Sequence, residues 1–155
     1  MSSVPPYAGD PGSTRPAPTL DAGRLWTGGV ATALVAALVA VVGVLIARGL
    51  LDIPVLAPTG EGTFGDASTA QLAGLAAVAA LAATGLMHLL LLTTPRPRRF
   101  FGWIIGLATV VAAILPLMTD AEPETRWATA AINVAIGLTI GSLVSSVAGS
   151  ASRTR

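Results

Sequence analysis

The sequence predicts an all-α fold: a four-helix transmembrane bundle with antiparallel neighbours and both termini in the cytoplasm. Three observations carry this. Of the 155 residues, 53% are hydrophobic and only 11% are charged, against about 25% charged in a soluble domain. The apolar residues gather into long runs at about 26–47, 71–92, 100–118 and 127–148, each close to the ~20 residues that cross a bilayer core. The arginines lie unequally on the two sides of these runs, and that asymmetry sets orientation.

Residues 1–23, MSSVPPYAGDPGSTRPAPTLDAG, are rich in Pro, Ser and Gly and lack apolar periodicity. They bury too little apolar surface to offset ordering entropy, so a disordered cytoplasmic tail is expected. No short apolar stretch follows a charged start, so the segment does not read as a signal peptide. The membrane domain is expected over residues 24–148.

The first run, at about 22 residues, spans roughly 33 Å as a helix. Arg24 and Trp26 mark one interface and Arg48 the other. The loop that follows begins with apolar residues broken by Pro54 and Pro58. It is expected to lie at the interface or on the mouth of the bundle. Gly60, Gly62 and Gly65 make its remainder turn-like.

The second run is dominated by Ala and Leu, both good helix formers. Pro95 and Pro97 end it, because neither supplies a backbone N–H. The third run follows after only a few residues, so helices two and three should be antiparallel neighbours. Trp103 anchors its start at the interface, and Pro116 bends or terminates its far end. A short acidic loop, with Asp120, Glu122 and Glu124, leads to the fourth run. Residues 149–155 form a polar cytoplasmic tail.

Arg15, Arg24, Arg96, Arg98, Arg99, Arg153 and Arg155 share one side of the membrane. Arg48 and Arg126 share the other with Asp52, Glu61, Asp66, Asp120, Glu122 and Glu124. The positive-inside rule places both termini and the 93–99 turn in the cytoplasm. Every basic residue is Arg, a bias expected of a GC-rich genome. A net charge of +1 predicts no nucleic-acid partner. The predicted partners are the lipid bilayer and, through small-residue helix faces, another membrane protein or a second copy of the chain.

Such faces matter because helices gain little hydrophobic energy by associating in lipid. On helix four, Thr129, Asn133, Gly137, Gly141 and Ser145 recur along one face, and Gly137 with Gly141 forms a GxxxG. Ala76, Ala80, Thr84 and His88 recur on helix two. Gly102 and Gly106 lie on helix three, and Ala36 with Ala40 and Gly43 with Ala47 on helix one. Packing within the bundle is the simpler use of the GxxxG, and an oligomer face the alternative.

His88 is the one titratable side chain well inside a span, roughly 9 Å from the cytoplasmic end of its helix. It reads either as a neutral interhelical donor or as the lining of a cytoplasmic vestibule. Asn133 lies nearer the outer side and reads as interhelical glue; the two are expected at different depths. Arg96, Arg98 and Arg99 are candidate contacts for anionic headgroups. The outer carboxylates match no cation-binding loop and read as a solvated loop.

No enzymatic constellation is present. The chain has no cysteine, no HExxH, no GxSxG and no P-loop, and a single histidine offers no pair to hold a metal. No cofactor, metal or catalytic residue is expected. The midplanes also lack the charged residue that coupled transporters use, including the first-helix Glu of small multidrug-resistance exporters. The expected role is therefore a non-enzymatic accessory or scaffold subunit of the cell envelope. A small transporter or channel component using His88 is the alternative.

Arg24-Leu25-Trp26, the stretch from His88 through Thr93-Thr94-Pro95-Arg96-Pro97, Phe101-Gly102-Trp103, and Asn133 followed by Gly137-x-x-x-Gly141 together resemble a group of small four-span actinobacterial membrane proteins, catalogued as a domain of unknown function. The resemblance covers residues 24–148. It implies the four-span fold and an envelope setting, and no catalytic residue or activity comes with it.

A reporter fused after Arg155 should be active only as a cytoplasmic fusion; an extracytoplasmic signal would reverse the orientation.

Overall fold

A computed structural model describes residues 22–59, 63–66 and 68–151. Within them lie four long helices: α1 (Ala22–Leu45), α2 (Thr69–Thr93), α3 (Pro97–Leu117) and α4 (Pro123–Ala151). Each is long and apolar enough to cross a membrane. Of the tail expected at residues 1–23, residues 1–21 lie outside the described residues, as do Gly60, Glu61, Gly62, Ala67 and residues 152–155.

Several ends extend past the apolar runs, because capping chemistry rather than hydropathy decides where a helix stops. Residues 22 and 23 are already helical. The Ser68 side chain accepts from the Gln71 N–H at 3.1 Å and so caps α2. Pro97 starts α3 at its first helical position, where the missing N–H costs nothing. Pro123 opens α4 and brings Glu124 into its first turn, favourable to the helix dipole. Gly149, expected in the tail, is still helical.

The far end of α1 loosens into a π-turn, Ile46–Leu50. It closes with the Ile53 N–H donating to the Ala47 carbonyl at 2.8 Å. Asp52 stands in the left-handed region at φ 56°, a place where Asp is among the tolerated non-glycine residues.

The loop after α1 is more ordered than its composition suggests. Leu56–Thr59 (β1) and Thr63–Asp66 (β2) form an antiparallel hairpin with Leu56 opposite Asp66 and Thr59 opposite Thr63. It packs on the mouth of the bundle: Val55 and Ala57 are buried. The Leu56 N–H donates to the Thr129 hydroxyl of α4 at 3.1 Å, and Gln71 Nε2 donates to the Pro58 carbonyl. Two four-residue strands are too short to stand alone, so these ties to α2 and α4 hold the hairpin.

The helices meet along three broad seams, α1 with α2, α1 with α4, and α3 with α4. The fourth seam, α2 with α3, is sparse. These two are neighbours through the turn at Thr94–Arg96, but a short turn fixes only one end of the pair. The core is built from Ala33, Ala36, Ala40 and Val44 on α1, Ala76, Ala80 and Met87 on α2, and Ile132, Ile136, Ile140 and Val144 on α4. Small residues on α1 and α2 let those backbones approach closely. Gly29 lies against Thr84, and Gly43 against Ile132.

Replacing Thr129 with Val keeps the shape but removes the acceptor for the Leu56 N–H. We expect a loss of about 1–2 kcal/mol in thermal unfolding in detergent, with faster amide exchange at Leu56. Unchanged exchange there would show that the hairpin does not depend on this bond.

Candidate functional site

The most informative site lies on α3 and its two flanks. α3 buries only Phe101 and Pro116 among its residues. Phe101, Ile105, Thr109, Ala112 and Pro116 fall at helical spacing along one face. That face meets α4.

Pro116 sets the chemistry of this seam. It has no N–H, so the carbonyl four residues earlier, at Ala112, loses its helical donor. Asn133 on α4 replaces it: its Nδ2 donates to the Ala112 oxygen at 2.8 Å. In hydrocarbon no water takes that role, and a neighbouring helix must. Below this bond, Gly137 lies directly against the Thr109 side chain, and a Cβ on Gly141 would meet Ile105 at 3.2 Å. The Thr109 hydroxyl is itself bonded to the Ile105 carbonyl at 2.8 Å. Asn133, Gly137 and Gly141 thus form one ladder against Ala112, Thr109 and Ile105. The helix-four GxxxG packs inside the chain.

Arg126 completes the seam at the end where α3 stops and α4 begins. Its Nη1 donates to the Leu117 and Thr119 carbonyls at 3.3 and 3.4 Å. A cation there complements the C-terminus of α3. At the other end Arg98 reaches across to Gly149 in the last turns of α4, so it serves helix packing besides any headgroup. Arg96 and Arg99 are exposed on the same turn.

His88 is not part of this seam. It is half-buried, with its ring 6.5 Å from that of Trp26 and tilted by 49°, and it ties α2 to the start of α1. The structure does not bring His88 and Asn133 together. No three His, Asp or Glu side chains cluster as a metal site among the described residues.

Gly102 and Gly106 differ from their expected role. A Cβ at either meets nothing within 4 Å. Each lies one residue past Phe101 or Ile105, about 100° round the helix, so turning the Phe101 face to α4 turns these glycines outward. They border a groove of about 570 Å³ between α3 and α4, with Val110, Ala113, Leu138 and Ser142. A second cleft, of about 560 Å³, lies on the opposite flank among α2, α3 and α4, with Leu56 and Pro58 of the hairpin at one end. His88 lines neither.

Residues 20–150 match the model of a family of unknown function (DUF6069). The chain belongs to this family. The match takes in α1, α2, α3, the hairpin and α4 up to residue 150, in keeping with the resemblance to a domain of unknown function. No curated protein and no solved structure matches the chain.

Sequence reasoning missed the partnership of Pro116 with Asn133, although the signal was available. A proline inside a span orphans the carbonyl at i−4, and a span asparagine is a natural donor for it. We expect Asn133→Leu to destabilise the bundle and Pro116→Ala to rescue it, since an alanine at that position supplies the missing N–H. The coupling in a double-mutant cycle should be about 1 kcal/mol, read by unfolding in mixed micelles. Additive effects would mean that Asn133 serves some other purpose.

Proposed function

We propose that this chain is a non-enzymatic multi-pass protein of the cell membrane that works by association, as an accessory or scaffold subunit docking another membrane protein along α3. The outward face of α3 carries the reading. Trp103 is 67% exposed and Leu107 62% exposed, and Gly102 and Gly106 leave open space beside them. Small residues facing outward in a span allow a partner helix to approach closely. The distribution of arginines supports an orientation with both termini and the α2–α3 turn in the cytoplasm. The all-Arg composition and the motif resemblance support an actinobacterial envelope.

Gly137 and Gly141 pack against Thr109 and Ile105 of α3 and border the same groove as Gly102 and Gly106, so the docking face centres on α3 and not on the helix-four GxxxG. The alternative, transport past His88, finds less support, because that side chain packs on Trp26 and borders neither cleft.

Purification from the native host in mild detergent, followed by native mass spectrometry, should yield a second membrane protein in fixed ratio. Gly102→Leu with Gly106→Leu should abolish that ratio while leaving thermal unfolding unchanged. Gly137→Leu, placed against Thr109, should lower stability instead. A lone monomer, a homo-oligomer, or a partner indifferent to the double variant would defeat the accessory reading.

A further inference from the structure

We propose that the cleft between α2 and α3 is a binding site for one hydrocarbon chain of a bilayer phospholipid, entering sideways through the loose α2–α3 seam. The site is distinct from the outward face of α3 and independent of the accessory role.

The cleft exists because both its walls are small. Ala79, Ala82 and Ala83 of α2 face Ala108 and Ala112 of α3 across it, and methyl groups cannot fill the space that the splayed helices leave. The resulting groove, open along one side, has a volume of about 560 Å³. Within a bilayer the medium at its open side is hydrocarbon, so hydrocarbon is what enters.

The lining selects the same occupant. No ionisable side chain borders the cleft. Its two polar side chains, Thr109 and Asn133, are uncharged; the Thr109 hydroxyl and one N–H of the Asn133 amide are bonded to the α3 carbonyls of Ile105 and Ala112. Neither offers a strong anchor to a charged ligand. The shape agrees: from Leu72 to Leu86 the cleft follows α2 for about 21 Å, the length of a long acyl chain. The hairpin residues Leu56 and Pro58 close one end, so the seam itself is the entrance.

The test uses the full chain, reconstituted in turn with phosphatidylglycerol and phosphatidylethanolamine of the same acyl chains, then released from detergent for native mass spectrometry. One lipid per chain should survive activation that strips the others, with either headgroup. Ala79→Trp with Ala108→Trp puts two indoles into the cleft from exposed positions and should abolish the retained lipid. Gly106→Leu, in the other groove, should keep it. If the tryptophan pair fails to fold by circular dichroism, Ala82→Leu with Ala108→Leu is scored by the same criterion. The proposal is overturned if no lipid is retained, if filling the cleft leaves retention unchanged, if retention follows the headgroup, or if filling disperses a dimer instead.

Discussion

A proline in a membrane span frees a carbonyl that only another helix can satisfy. In water the Ala112 carbonyl orphaned by Pro116 would be solvated; in hydrocarbon it needs a protein donor. The Asn133 amide supplies one at 2.8 Å. Much else follows from that bond. It fixes the rotation of α3 about its axis, so Phe101, Ile105 and Thr109 face α4. It sets the register in which Gly137 receives Thr109 and Gly141 receives Ile105. The short connection over residues 118–122 keeps the start of α4 at the end of α3, where Arg126 reaches the last carbonyls.

The same constraint explains why the bundle is lopsided. Three seams are held broadly by small residues or by this polar ladder, and the fourth is sparse beyond the Thr94–Arg96 turn. Nothing comparable to Asn133 crosses from α2 to α3 among the described residues. In an aqueous protein a gap of that size would collapse under hydrophobic pressure. In a bilayer that pressure is absent, since lipid tails are as apolar as leucine, and an open seam is stable. α3 is thereby left with one flank toward a chain-sized cleft and the other toward an outward groove bordered by Gly102 and Gly106. Both surfaces suit association, and the family to which the chain belongs has no assigned activity.

How much is legible in the sequence varies with the physics behind each feature. The four spans are readable because the length and apolarity of a span are set by the bilayer, not by tertiary context. The ends are less so: Pro97 and Pro123 extend their helices by local geometry that a hydropathy window does not register. The hairpin looks irregular in sequence because four-residue strands carry little pattern, and their stability comes from Thr129 and Gln71 on distant helices. The glycines divide in the same way. Gly137 and Gly102 look alike in sequence, yet one lies against Thr109 and the other has open space beside it, because a helix's rotation is decided by its neighbour.

By itself, then, the sequence determined the class of the fold, the number of spans among the described residues and the absence of recognised catalytic motifs. These depend on composition and on distances along the chain. Only the tertiary structure decided which face of α3 meets α4, that Asn133 serves the carbonyl freed by Pro116, that His88 pairs with Trp26, and that the seam between α2 and α3 stays open. Those outcomes depend on helix rotation and on polar partners far apart in the chain. In a medium with little hydrophobic pressure, such contacts are what fix the packing.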